Sequence, residues 1–170
     1  MSSTCPPGVA GATSSDGTRH RSTLASAAVP DVVIVSDAAS VRDEVRSAIT
    51  DPDATVRELE AGKQLLAAVE ERVPDLAVID LQIGNMGGMA ACLDIRLEEG
   101  MDRLPHVPVL MLLDRRPDVF LARRSQADGW LVKPLDPLRL RKAMSALLAG
   151  DTYHDDTHLP PTIPVASPAP

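Results

Sequence analysis

Between residues 30 and 150 the chain alternates short apolar runs with stretches whose apolar positions recur at helical spacing. "DVVIVS" (31–36) is a short β-branched run of the kind that forms a strand buried on both faces. Val41, Val45, Ala48 and Ile49 follow at helical spacing. "ATVREL" (54–59) predicts a weaker second strand, and Leu65, Leu66, Val69 and Val73 mark the helix after it. "LAVID" (76–80) predicts the third strand, followed by a helix from Met89 to about Glu99. "VPVLMLL" (107–113) predicts the fourth, with a helix opening near Pro117, and "GWLVK" (129–133) the fifth. Asp136 then stands as an N-cap with Pro137 at the first helical position, ahead of Leu140, Met144, Leu147 and Leu148. Five strands, each followed by a helix, imply right-handed crossovers. The class is therefore α/β: a five-stranded parallel sheet, doubly wound, with helices on both faces. Sites in such sheets gather at the carboxyl ends of the strands. There stand "SD" (36–37) after the first strand, Asp80 after the third and Lys133 after the fifth.

The flanks lack this pattern. Residues 1–29 are rich in Ser, Thr, Gly, Ala and Pro, and residues 151–170, "DTYHDDTHLPPTIPVASPAP", are acidic and then proline-rich. Both compositions bury too little apolar surface to offset ordering, which predicts a disordered leader, one domain over 30–150 and a disordered tail. Apolar residues are 44 % of the chain but aromatics only 2 %, so the expected core is aliphatic. The formal charge of −7, from 24 acids against 17 Lys and Arg, argues against a general nucleic-acid or anionic-membrane surface. Cys5 and Cys92 make no disulfide framework, one lying in the leader and the other in a predicted helix. The N-terminus lacks the basic and apolar regions of a secretory signal, and no apolar run reaches transmembrane length. A soluble cytoplasmic protein is the expectation.

A carboxylate directly behind an apolar run, as in "LAVIDLQIGNMGG" (76–88), costs desolvation energy unless it has partners or a task. The parallel sheet supplies partners for Asp80 from distant parts of the chain. With "VIVSD", "AVIDLQIGNMGG", "VPVLMLL" and "GWLVKPLDPLRL" in that order, the span from about 30 to 150 resembles the receiver domain of bacterial two-component response regulators. The resemblance implies the flavodoxin-like (βα)5 receiver fold and a part in phosphorelay signal transduction, with a histidine kinase or phosphotransfer protein as phosphodonor. By position, Asp80 is then the phosphoacceptor and Lys133 the phosphate-contacting lysine. Asp37, Asp80 and the main-chain carbonyl of Gln82 become the Mg²⁺ ligands, and Trp130 the switch-associated aromatic. A cis bond before Pro134 is common in the family. The chemistry suits the residue types: Mg²⁺ takes oxygen ligands and keeps several waters, and a lysine adds a point charge for in-line phosphoryl transfer.

The sequence departs from that pattern in places. Ser36 stands where the first of two adjacent acids is usual. At roughly 4 Å and an effective dielectric of about 20, the missing charge is worth on the order of 4 kcal/mol before desolvation is subtracted, so weakened Mg²⁺ binding is expected. Leu113 stands where a Ser or Thr hydroxyl relays the change of state, which makes that switch position degenerate. Gly84 and Gly87 replace a common proline and a common acid, predicting a looser loop after Asp80.

Simpler roles stand beside these. Asp37 precedes a helix and would serve as its N-cap. Asp80 would suit a turn, Lys133 a solvated strand end, and Trp130 a packed strand position. Asp114 reads as a loop start or cap, "HDDTH" (154–158) as a solvated acidic stretch, and Arg115–Arg116 and Arg123–Arg124 as exposed surface.

Three function classes follow. The first is a stand-alone receiver that accepts phosphate at Asp80 and signals by binding an unidentified output protein, without a separate enzymatic activity, nucleic-acid binding or membrane insertion. The second is a pseudo-receiver, a protein-binding adapter indifferent to phosphorylation, favoured by Ser36 and Leu113. In either, the face formed by the last two strands and helices is the candidate for a homodimer. The third is an enzyme on a similar framework. A haloacid-dehalogenase-type phosphatase needs a second acid where Gln82 stands, and a nucleotide or flavin site needs a phosphate loop that "VSDAASVR" lacks.

Overall fold

The computed structural model of the chain describes residues 29–155. The strands are β1 (Asp31–Val35), β2 (Thr55–Leu59), β3 (Leu76–Asp80), β4 (Val109–Leu113), β5 (Gly129–Val132) and β6 (Tyr153–His154). The helices are α1 (Ala39–Ala48), α2 (Leu65–Glu71), α3 (Gly88–Gly100), α4 (Val119–Arg124) and α5 (Pro137–Leu148), with 3-10 turns leading into α2 and α4. All strand pairs are parallel, in the order β2-β1-β3-β4-β5-β6. This is the flavodoxin-like order with one strand added.

Side chains on a strand alternate between faces, so each strand feeds two cores. Val33, Val35, Ile79, Met111, Leu113 and Trp130 face α2, α3 and α4, where Leu65, Cys92, Ile95 and Ala122 close the layer. Val32, Ile34, Val78, Leu110, Leu112 and Leu131 face α1 and α5, against Val45, Leu140, Met144 and Leu147. Trp130 is the one aromatic buried in these layers among the described residues, in keeping with an aliphatic core. β2, at one edge, is only half-buried along its length, which is why its sequence pattern is the weakest.

Local chemistry sets several boundaries. Asp136 caps α5, its Oδ1 accepting from the N–H groups of Leu138 (3.0 Å) and Arg139 (2.9 Å), with Pro137 at the first position as expected. β4 begins at Val109 rather than at Val107, because Pro108 has no N–H for the ladder; its carbonyl still accepts from Ala77 N at 2.9 Å. Gly88 opens α3 so close to β3 that a Cβ there would lie 2.2 Å from the Asp80 carbonyl oxygen. The glycine that this loop requires is therefore Gly88. Gly84 and Gly87, singled out from the sequence, have room for a Cβ.

One boundary is corrected. The domain does not stop at Gly150: Tyr153 and His154 pair with Gly129 and Trp130, giving the sheet a sixth strand where five were expected. Asp155 is buried and His154 stacks on Trp130, so this part of "HDDTH" is not a solvated stretch. A two-residue strand carries too little periodicity to show in sequence. The leader (1–28) and the remainder of the tail (156–170) lie outside the described residues. Among the described residues no helix is long and apolar enough to cross a membrane.

Burial in α3 pushes the Cys92 thiol up to about 11. At pH 8 about one part in a thousand is thiolate, the reactive form. Peptide mass mapping after iodoacetamide treatment at pH 8 is expected to leave Cys92 unmodified in native protein and to find it alkylated in denaturant. Rapid labelling of the native chain at Cys92 would contradict this packing.

Candidate functional site

The strand register brings distant residues together at one end of the sheet. Val35 pairs with Ile79, Asp80 with Leu112, and Leu113 with Val132. Ser36, Asp80, Leu113 and Lys133 are therefore neighbours across four strand ends. The chain passes from β1 out to β2 and returns across the sheet to β3, so the β1–β3 junction is the topological switch point where such sheets open a crevice.

Asp80 is 2 % exposed and its carboxylate is fully engaged. Lys133 Nζ lies 2.9 Å from each of its oxygens. Ser36 Oγ donates to Oδ2 at 2.9 Å, and the Gln82 N–H donates to Oδ1 at 3.2 Å. Ser36 is completely buried, and its Oγ also accepts from Ala38 N at 3.2 Å. The serine that replaces an acid thus supplies a hydrogen bond to Asp80 in place of a repelling charge. Asp80 does open a turn, through Gln82 N, yet the lysine and serine contacts go well beyond that simpler role.

Lys133 reaches a second carboxylate, Asp114 Oδ1, at 3.1 Å. Burial acts to lower the pKa of the ammonium, but the hydrogen bonds and charges of Asp80 and then Asp114 outweigh it, and the net shift is upward from 10.5. Lys133 is accordingly no solvated strand end. Sequence reasoning missed Asp114 and read it as a loop start or cap. The available signal was its position directly after β4, at the same end of the sheet as Asp80.

Asp37 does not cap α1. The N-cap is Ala38, without a side-chain bond, and Asp37 Oδ2 instead accepts from Gly84 N at 2.9 Å, tying the loop after β3 to the end of β1. Gln82 sits exposed beside Asp80. Leu113 is completely buried in the α2–α4 layer, and its carbonyl accepts from Lys133 N at 2.7 Å. Trp130 is 2 % exposed, stacked on His154 (centroids 3.9 Å apart, planes 12°), with the Arg123 guanidinium 5.3 Å from its ring. It is a packed strand residue. Arg115, Arg116, Arg123 and Arg124 are exposed, as expected. The Lys133–Pro134 peptide is cis.

Residues 32–145 match the family described as response regulator receiver domain. The DNA-binding response regulator MtrA of Mycobacterium tuberculosis is 30 % identical over 119 residues, covering 69 % of this chain and 50 % of that protein. The nitrate/nitrite response regulator NarL of Escherichia coli K12 is 30 % identical over 122 residues, covering 71 % of this chain and 55 % of that protein. The chain thus spans about half the length of these curated relatives. Among solved structures, the chemotaxis protein CheY4 of Vibrio cholerae superposes with a TM-score of 0.62 at 25 % identity, over 71 % of this chain and 99 % of that one.

Receiver domains generally bind Mg²⁺ at the phosphorylation site. Among the described residues no group of three or more His, Cys, Asp or Glu side chains converges as a metal cage. The donors here are hard oxygens, two carboxylates (Asp37 and Asp80) with a carbonyl and a hydroxyl nearby. That set fits an ion that retains most of its own waters.

The Lys133 shift has a definite sign. A folded-state pKa raised above 10.5 means that the pairing stabilises the fold fully below about pH 10.5, and that this contribution is lost as pH rises through the raised value. Lys133→Met leaves the buried Asp80 charge without its ammonium, an expected cost of about 3 kcal/mol at neutral pH. Urea denaturation is expected to show that gap from wild type constant up to about pH 10 and narrowing above it. A gap independent of pH up to about pH 12 would contradict the assignment.

Proposed function

The chain belongs to the response regulator receiver family, and from that membership we propose that it accepts a phosphoryl group at Asp80 from a histidine kinase or phosphotransfer protein and passes the signal to another protein. The observation that carries this reading is the placement of Lys133 Nζ at 2.9 Å from both Asp80 oxygens, at the switch point of the sheet. Asp80 is the nucleophile, attacking the donor phosphorus in line while the leaving group departs on the far side. Lys133 moves from neutralising the carboxylate to neutralising the incoming phosphoryl oxygens, an electrostatic task for which it is already protonated. Asp114 keeps part of its hold on the ammonium and so limits how far it travels. Asp37, Asp80 and the Gln82 carbonyl would hold Mg²⁺, which supplies charge neutralisation at the phosphoryl oxygens when bound. Ser36 brings one negative charge fewer than the usual acid, so a weaker metal site accompanies this reading. Receiver domains are in general signalling modules rather than enzymes with their own substrates, and a cytoplasmic location accords with that role.

A second reading has a specific observation behind it. Every oxygen of Asp80 is already bonded, and Leu113 offers no hydroxyl to the site. A binding module that works without phosphorylation needs nothing more than this closed arrangement. The output partner is a protein in both readings. The MtrA proteins are named DNA-binding, but with a net charge of −7 this chain is proposed not to contact nucleic acid itself.

Intact-mass measurement with acetyl phosphate, with and without Mg²⁺, separates the readings. One phosphoryl adduct is expected, dependent on Mg²⁺ and absent in Asp80→Asn. Ser36→Asp restores the second acid and is expected to lower the half-saturating Mg²⁺ concentration about tenfold, equivalent to about 1.4 kcal/mol. An adduct that persists in Asp80→Asn removes Asp80 as acceptor. No adduct in wild type, together with partner capture unchanged by Asp80→Asn, supports the phosphorylation-independent module.

A further inference from the structure

The residues after α5 return to the outer edge of β5 and grip the backbone on both sides of Lys133. Tyr153 N donates to the Asp128 carbonyl at 3.3 Å and Asp155 N to the Trp130 carbonyl at 3.2 Å, which completes the short β6 ladder. The Asp155 side chain, completely buried, accepts at 3.2 Å from the N–H of Val132, the residue just before Lys133. The same Oδ2 accepts from Arg139 Nη1 at 2.7 Å, and Arg139 Nη2 donates to the Pro134 carbonyl at 2.9 Å, just after Lys133. One carboxylate thus reaches both neighbours of the site lysine, one directly and one through a guanidinium.

We propose that Asp155 and Arg139 are positioning residues for Lys133, and that residues 153–155 form a latch whose closure fixes the distance between the ammonium and Asp80. This inference rests on the reading of Asp80 and Lys133 as the site. The ammonium lies 2.9 Å from each Asp80 oxygen, so a backbone displacement of a fraction of an ångström at β5 changes the charge-assisted bonds. The latch itself is slight. β6 has two residues, and the chain reaches it from α5 through Gly150, in the left-handed region at φ 86°, and the exposed Asp151 and Thr152. Segments with few contacts open locally at low free-energy cost, so the latch is the part of this edge able to respond. Coupling of this kind is reciprocal: what happens at Asp80 alters the latch, and loss of the latch alters Lys133. It gives the site a route to the outer edge of the sheet that does not pass through Leu113, where the family's hydroxyl is missing. Trp130 lies on that route, stacked on His154.

The test uses the full chain, labelled with ¹⁵N, and reads both directions. Lys133→Ala leaves every latch residue in place, and it is expected to raise amide hydrogen exchange at Val132 and Asp155 at least about fivefold, with the Ile34 and Val78 amides unchanged. In the reverse direction, Asp155→Ala is expected to shift the Lys133 Nζ resonance, since the ammonium moves relative to the Asp80 oxygens. Should Asp155→Ala fail to fold, Arg139→Gln removes the ion pair and the bond to Pro134 while leaving the carboxylate on Val132. Unchanged exchange in Lys133→Ala, or an unmoved Lys133 signal in the folded latch variants, overturns the proposal. The two failures are distinguishable: absence of a phosphoryl adduct alongside both responses would remove the phosphoacceptor reading and leave the latch standing, whereas an adduct without either response would do the reverse.

Discussion

The site end of this sheet depends on one charge pair, Lys133 with Asp80, drawn from strands that are not adjacent. β4 lies between β3 and β5, so the ammonium spans it to reach a carboxylate 2 % exposed. A buried carboxylate is tolerated only when paired and hydrogen-bonded. The lysine supplies the pairing, and Ser36 and the Gln82 amide supply the rest. The surrounding features are arranged around that requirement. Gly88 lets α3 start against the Asp80 carbonyl, Asp37 draws in the loop through Gly84, and the latch fixes the peptides around Lys133.

The substitutions that set this chain apart act on the same pair. An acid at position 36 would oppose Asp80 and call for a cation to balance both, whereas the serine hydroxyl donates to Asp80. Leucine at position 113 contributes to the inner core and nothing to the pocket. The outcome is a buried Asp80 satisfied by one lysine, one hydroxyl and one backbone N–H, beside a leucine side chain at position 113.

Much of this was legible in the sequence, for identifiable reasons. Strands buried on both faces leave continuous β-branched and aliphatic runs, so β1, β3, β4 and β5 stood out, and parallel topology then placed Asp80 and Lys133 at one end. The Asp136–Pro137 helix start was equally plain, since cap and first-turn chemistry are local. What escaped depends on approach between distant backbones or on very short elements. β6 is two residues long and lies at the head of an acidic, then proline-rich stretch. The requirement for Gly88 rather than Gly84 or Gly87 comes from a 2.2 Å encounter that exists only once α3 packs on β3. Of the two roles read for Asp37, metal ligand and helix cap, the local cap gave way to a non-local bond to Gly84. Asp114 was overlooked because its partner lies on the next strand.

The central claim is that Asp80 and Lys133 act as one energetic unit. A double-mutant cycle by urea denaturation at neutral pH, with Asp80→Asn, Lys133→Met and the double variant, tests it most directly. The account predicts non-additive losses, with a coupling energy of about 2 kcal/mol in favour of the pair, within the range for contacting charged residues. Additivity to within about 0.3 kcal/mol would contradict it.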